Sequence, residues 1–335
     1  MKEFRPPTFR DVLDARRGIA RHLARTPLFR YPALDAELGC EVWVKHENHL
    51  PIVSFKVRGG VHLVSRLSAA ERRGGIVSAS TGNHGLSLAW AGREFGVRVV
   101  IVVPTGANPT KVAAMRALGA EVRHEGKDFD AAREHVERIA PGEGLRYVHN
   151  ANEPDLIAGV ATSTLEIVEE RPDIDTIIVP IGGGSGAAGA CIVDQALGGS
   201  LRVVGVQSEA APAAHDSWRE GRLVERPMGT FAEGVASRTA FELTQNILRG
   251  GLSDFVLVSE AGIRSAVRIA IATTRNLVEP AGALGIAAIA ERPELFASRR
   301  VAVVFSGGNI SPAALSSILA EDSAAPDTSP RRDPP

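Results

Sequence analysis

Three short segments carry residues able to do chemistry. The first is Ser54-Phe55-Lys56-Val57-Arg58-Gly59-Gly60. A lysine set among apolar residues loses its proton more easily, because desolvation disfavours the ammonium. A neutral amine is what imine formation requires. Alone the signal is weak, since most lysines are solvated surface residues. The second segment is Ser80-Thr81-Gly82-Asn83-His84-Gly85. Its hydroxyls and backbone N–H groups suit a carboxylate at a helix start, and Asn83 offers both a donor and an acceptor. A plain helix cap is the competing reading. The third is Gly182-Gly183-Gly184-Ser185-Gly186. Glycines let the backbone approach an anion, and the N–H groups converge on it at a helix N-terminus. No Gly-Lys-Ser/Thr follows, so a monophosphate suits this loop better than a nucleotide. A smaller element, Ser306-Gly307-Gly308-Asn309, offers a hydroxyl that either caps a helix or faces a heteroaromatic nitrogen.

These segments need a scaffold. β-Branched runs at 42–45, 76–79, 98–103, 176–180, 202–206, 255–258 and 301–305 read as strands. Several are apolar on consecutive residues, the pattern of parallel strands covered on both faces. Helical patterns fall at 84–95, 108–118, 128–139, 153–170, 186–197 and 260–276. The alternation predicts an α/β fold with mostly parallel sheets and places each segment at a strand–helix junction, where open α/β sheets bind ligands.

The chain's 335 residues suit one large or two modest domains. A formal net charge of −1 provides no global field to recruit nucleic acid or an anionic membrane. The two cysteines, Cys40 and Cys191, fit a reducing cytoplasm. The opening residues lack the apolar core of a signal peptide, and no apolar run is long enough to span a bilayer. Residues 321–335, rich in Pro, Asp and Ser, read as a disordered tail.

In their common order the segments resemble the pyridoxal-5′-phosphate (PLP) enzymes of fold type II, the tryptophan-synthase β-like group. Within it they look most like serine/threonine ammonia-lyases and serine racemase. The resemblance runs from Arg25-Thr26-Pro27-Leu28 to Asn309. It takes in Lys45-His46-Glu47-Asn48, Asp128-Phe129-Asp130, Ala232-Glu233-Gly234-Val235 and Glu279-Pro280-Ala281-Gly282-Ala283.

The resemblance implies two open, twisted α/β domains with PLP between them. A large domain would comprise residues 1–74 and 149–320, and a small one residues 75–148. Lys56 would be the Schiff-base lysine, with Phe55, Gly234 and Glu279 beside the cofactor ring. Asn83 would bond the phenolic oxygen, Gly182, Gly183, Gly184, Ser185 and Gly186 the phosphate, and Ser306 the pyridine nitrogen. Ser80, Thr81, Gly82, Asn83 and His84 would hold the substrate carboxylate. The implied reaction removes the β-hydroxyl of L-threonine, L-serine or a similar amino acid, with release of ammonia and a 2-oxo acid. A homodimer or homotetramer is implied, and no metal, since Gln207 stands where some relatives carry an acidic cation ligand. Thr81 bears a hydroxyl where a racemase needs a second acid/base, so it joins Lys56 as a candidate catalytic group; carboxylate binding or helix capping is its blander role. Ile52-Val53 replaces the Thr-Gly usual before Ser-Phe-Lys, and its extra bulk could reshape the approach to Lys56. A racemase, a dehydratase for 3-hydroxyaspartate or phenylserine, and a catalytically silent amino-acid binder remain the alternatives.

Overall fold

A computed structural model describes residues 5–320, apart from the side chain of Asp130. The expected tail at 321–335 lies outside the described residues. Among the described residues ten strands form two sheets. In chain order they are β1 (Leu28–Arg30), β2 (Glu41–Lys45), β3 (Ile76–Ala79), β4 (Val99–Val103), β5 (Glu121–His124), β6 (Arg146–Tyr147), β7 (Thr176–Pro180), β8 (Arg202–Ser208), β9 (Asp254–Val258) and β10 (Arg300–Val304). The larger sheet has the order β1-β2-β10-β7-β8-β9, and the smaller β5-β4-β3-β6. Every pairing is parallel except β1 with β2. The fold is therefore α/β with mostly parallel sheets, as the strand patterns imply.

Burial on both faces explains the unalternating strands. β4 reads Val-Val-Ile-Val-Val and is buried at every position. On one face of the larger sheet, Ile178, Val204 and Val303 pack with helices Glu260–Thr274 and Pro280–Glu291. On the other, Ile177, Val179 and Val203 meet helices Phe9–Ile19, Pro154–Glu170 and Ser185–Ala196. In the smaller sheet, Val77, Val100 and Val102 face helix Phe129–Ile139. Ile76, Val99 and Ile101 share a core with Val57, Val61 and Val64 of helix Lys56–Ser65.

That last helix joins the two sheets. Its body is buried against the smaller one, while its N-terminus is tied to the larger. The Phe55 N–H donates to the Ser306 carbonyl at 3.0 Å, and Ser54 forms an isolated bridge with Gly307. Lys56 is thereby fixed where the two layers meet.

One helix escapes a search for amphipathic periods. Pro280–Glu291 is buried from Pro280 to Ile289, so it is apolar all round and has no 3.6-residue stripe. Phe9–Ile19 is marked by a capping box between Thr8 and Asp11, a local signal separate from the motifs. β5 and β6 are short, and β5 is polar, so neither looks like a buried strand in the sequence.

From β7 the chain goes on through β8 to β9, while β10 and β2 lie on the opposite side of β7. The crevice beyond the carboxyl ends of β7 and β10 is thus a topological switch point, the favoured ligand position in an open α/β sheet.

Candidate active site

Four loops converge on this crevice. They follow β2, β3, β7 and β10 and carry the motifs around Lys56, Ser80, Gly182 and Ser306. Lys56 opens helix Lys56–Ser65. Its Nζ donates to Ser185 Oγ at 3.1 Å and stands 5.0 Å from the centre of the Phe55 ring. Surrounding protein atoms desolvate the amine and push its pKa down to about 8. Roughly a tenth of the amine is therefore neutral at pH 7, far more than a surface lysine provides.

The glycine loop is built for close approach. Gly184 has φ of +86°, a left-handed conformation that disfavours any side chain. A Cβ on Gly182 would lie 2.4 Å from the Gly234 carbonyl oxygen, which no side chain tolerates. Gly234 therefore backs the loop from behind. Ser185 begins the next helix, Ser185–Ala196, so the loop's N–H groups precede a helix N-terminus. A small cavity beside it is lined by Phe55, Val160, Ser163, Val179, Gly186 and Ser306. The buried Ser163 hydroxyl there has no hydrogen-bond partner.

The loop after β3 departs from the simple capping picture. Helix Asn83–Phe95 starts from Gly82 as N-cap, with no side-chain cap. Ser80 Oγ instead accepts from the Gly85 N–H at 2.8 Å and the Gly82 N–H at 3.3 Å. The capping role considered for Thr81 is thus taken by the hydroxyl one residue earlier, and Thr81 stays exposed. His84 is buried, and burial pushes its pKa down to about 3, so the ring is neutral. Ser78 Oγ gives its proton to the Val148 carbonyl at 2.7 Å and lies 3.0 Å from His84 Nε2. That hydroxyl therefore accepts from Nε2–H, which leaves His84 Nδ1 as the acceptor.

Asn83 reaches the far side of the crevice. Its Nδ2 donates to Glu279 Oε1 at 2.8 Å, and its Oδ1 accepts from Asn309 Nδ2 at 2.8 Å. Glu279 is buried, and burial pushes its pKa up to about 7. A Cβ on Gly307 would stand 2.4 Å from Glu279 Oε1. Ser306 is buried and no helix begins before Pro312, so it caps none.

The structure thus gathers Phe55, Lys56, the 80–84 loop, the glycine loop, Gly234, Glu279 and Ser306 around one crevice. It also brings in residues that the sequence reading left without a role. Asn309 orients Asn83. His149 Nδ1 accepts from the Ala151 and Asn152 N–H groups, both at 3.0 Å, and its ring lies edge-on to Phe241. Lys111 Nζ comes within 3.8 Å of the point where a Gly82 Cβ would sit. Its one advance signal is a cation in the first turn of a helix, where the helix dipole disfavours it.

A family profile described as pyridoxal-phosphate dependent enzyme matches residues 19–307. The chain belongs to this family. The enzyme is 36% identical over 305 residues to an L-threonine ammonia-lyase of Thermotoga maritima, covering 90% of this chain and 76% of that one. It is 32% identical to an L-threo-3-hydroxyaspartate ammonia-lyase of a Pseudomonas species, over 90% of this chain and 95% of that one. Its structure superimposes on serine racemase from Dictyostelium discoideum with a TM-score of 0.86 at 28% identity, covering 91% and 99% of the two chains.

PLP is the enzyme's cofactor, and the residues present fit it. A lysine with a lowered pKa lies next to a glycine loop that leads into a helix N-terminus. A buried neutral hydroxyl closes the other end of the crevice at Ser306.

Proposed function

We propose that this PLP enzyme is an ammonia-lyase that converts L-threonine, L-serine or a similar β-hydroxy amino acid to ammonia and a 2-oxo acid. The observation that carries this reading is the position of the Lys56 amine, 3.1 Å from the hydroxyl that ends the glycine loop. PLP, when bound, supplies an electron sink for the Cα–H bonding electrons. Lys56 holds the cofactor and, once released by the substrate amine, takes the Cα proton. Gly182 to Gly186 would hold the phosphate through their backbone N–H groups. The 80–84 loop would grip the substrate carboxylate, and Asn83, held by Glu279 and Asn309, would offer its second Nδ2 proton to the cofactor's phenolic oxygen. Ser306 gives the ring nitrogen a neutral partner that cannot keep it protonated as a carboxylate would. A neutral partner at that position would favour loss of the β-hydroxyl over return of the proton to Cα.

The layout around the two sheets supports a small substrate-gripping domain at 75–148 and a large one from 1–74 and 149–320. Residues 75–148 hold the whole of the smaller sheet. Both cysteines are free, in keeping with a cytoplasmic enzyme, and we assign it a homodimeric or homotetrameric state.

A racemase remains the second reading because Thr81 presents an exposed hydroxyl on the carboxylate loop. Racemisation needs a proton donor on the face opposite Lys56, and an unactivated hydroxyl is a poor one. Elimination should therefore dominate. The test is a screen of the PLP-loaded enzyme with L- and D-serine, threonine, 3-hydroxyaspartate and phenylserine, reading 2-oxo acid release and product chirality. Release from an L-β-hydroxy amino acid with little D-isomer supports the reading. Racemisation at a rate matching elimination overturns it, and an unchanged D-isomer yield in Thr81→Ala removes Thr81 from the mechanism.

A further inference from the structure

We propose that Lys111 is a substrate-binding residue that carries the charge for the amino acid's α-carboxylate, and that Glu233 occupies it in the free enzyme. The proposal rests on the ammonia-lyase reading only for the identity of the substrate.

Lys111 lies in the first turn of helix Pro109–Ala117, whose Val112 and Met115 are buried in the core of the smaller sheet. Glu233 lies in the turn Glu233–Val235, whose Val235 is buried in the core of the larger one. The two side chains form an ion pair across the crevice, between residues 122 apart in sequence. Lys111 is nearly covered, at 17% side-chain exposure, and Glu233 is open, at 68%.

Three features mark Lys111 as more than a surface ion pair. Its Nζ stands against Gly82, at the centre of the loop assigned to the carboxylate. Its charge reaches the buried Glu279 across the crevice and opposes the upward shift caused by burial there. It also occupies a first-turn position where the helix dipole opposes a cation unless an anion offsets it. Glu233 supplies that anion from outside. A pair with one partner this exposed is weak, so an incoming carboxylate can displace it. The displacing group has an advantage that Glu233 lacks, because the N–H groups and hydroxyls of the 80–84 loop hold it at the same time. Glu233 then swings into solvent, where solvating its charge costs little.

This exchange makes a prediction of opposite signs. Lys111→Met should raise KM for the substrate about tenfold while kcat falls much less, and Lys111→Arg should recover most of the loss. Glu233→Gln removes the competitor and should lower KM. Propionate, an unreactive carboxylate, gives a readout that needs no turnover. It should raise the melting temperature of the PLP-loaded enzyme, at lower concentration in Glu233→Gln and not at all in Lys111→Met. If both substitutions raise KM, Lys111–Glu233 is a structural latch and the proposal is overturned. It is also overturned if propionate stabilises Lys111→Met as well as it does the parent. Should no amino acid be turned over, the ammonia-lyase reading fails, while the propionate titration still decides the role of Lys111.

Discussion

Asn83 Nδ2 donates to Glu279 Oε1 at 2.8 Å, joining two residues 196 positions apart on opposite sides of the crevice. Asn309 holds the other end of the same amide, donating to Asn83 Oδ1 at 2.8 Å. Asn83 is thereby held by partners on both of its polar atoms, and its amide plane is set by the loops after β10 and before helix Pro280–Glu291. The cost falls on Glu279, whose carboxyl burial pushes up to about 7.

That shift has a defined pH dependence. Burial penalises the carboxylate, so the penalty is full above pH 7 and vanishes as pH falls below the ordinary value of 4.5. Glu279→Gln keeps the acceptor for Asn83 and removes the charge. In the PLP-free protein it should raise the melting temperature by several degrees at pH 8 and leave it nearly unchanged at pH 4.5. Equal shifts at both pH values would show that the charge of Glu279 is not the source.

Lys56 has the reverse balance. Its folded pKa of about 8 lies below the ordinary lysine value of 10.5, so the neutral amine prevails from about pH 8 upward. Capture of PLP by the PLP-free protein should accelerate with pH and reach half its maximum near pH 8. Stopped-flow absorbance checks this. A midpoint above pH 10 would mean that the amine is not desolvated.

A buried ion cluster anchors the base of the same helix. Arg58 donates to Glu47 Oε2 at 2.7 Å and to Glu166 Oε1 at 2.8 Å, and Lys45 donates to Glu166 Oε2 at 2.8 Å. Burial works against ionisation of Glu166, but Arg58 and Lys45 outweigh it and hold its pKa down at about 2. Arg58→Met would strand two buried carboxylates with one lysine between them. The expected loss is about 3–5 kcal/mol in urea unfolding. A loss within 1 kcal/mol, which is about the worth of a surface pair, would contradict the cluster's role.

Val53 carries strain three residues before Lys56. Its φ is +56°, a conformation that glycine adopts freely and a β-branched residue does not. The sequence departure at Ile52-Val53 therefore shows in the backbone, and the Val53 side chain lies against Gly308. Relief of strain worth about 1–3 kcal/mol outweighs glycine's extra chain entropy of about 1 kcal/mol. Val53→Gly should raise unfolding free energy by about 1 kcal/mol, and a clear decrease would show that the valine's packing dominates.

Much of this was legible in the sequence because it is local. Val-Val-Ile-Val-Val in β4 announces a strand covered on both faces, and four glycines in five residues announce a backbone approached by something small and charged. What stayed hidden is long-range. Helix Pro280–Glu291 is apolar on every face, so burial erased the period that would reveal it. The Asn83–Glu279 and Lys111–Glu233 pairs join residues more than a hundred positions apart, and one sequence holds no trace of such pairing. The role of Ser80 in place of Thr81 depends on which hydroxyl turns inward, and residue type does not specify that.

On the proposed mechanism Lys56 drives ammonia loss from a β-hydroxy amino acid. The most direct measurement is the stoichiometry of products from L-threonine and L-serine with the PLP-loaded enzyme and its Lys56→Ala variant. The parent should release equal amounts of ammonia and 2-oxo acid. From the variant, product formation should fall by orders of magnitude, with borohydride no longer fixing PLP to the chain. Undiminished release of both products by Lys56→Ala, or a parent enzyme that forms neither from any β-hydroxy amino acid, would contradict that mechanism.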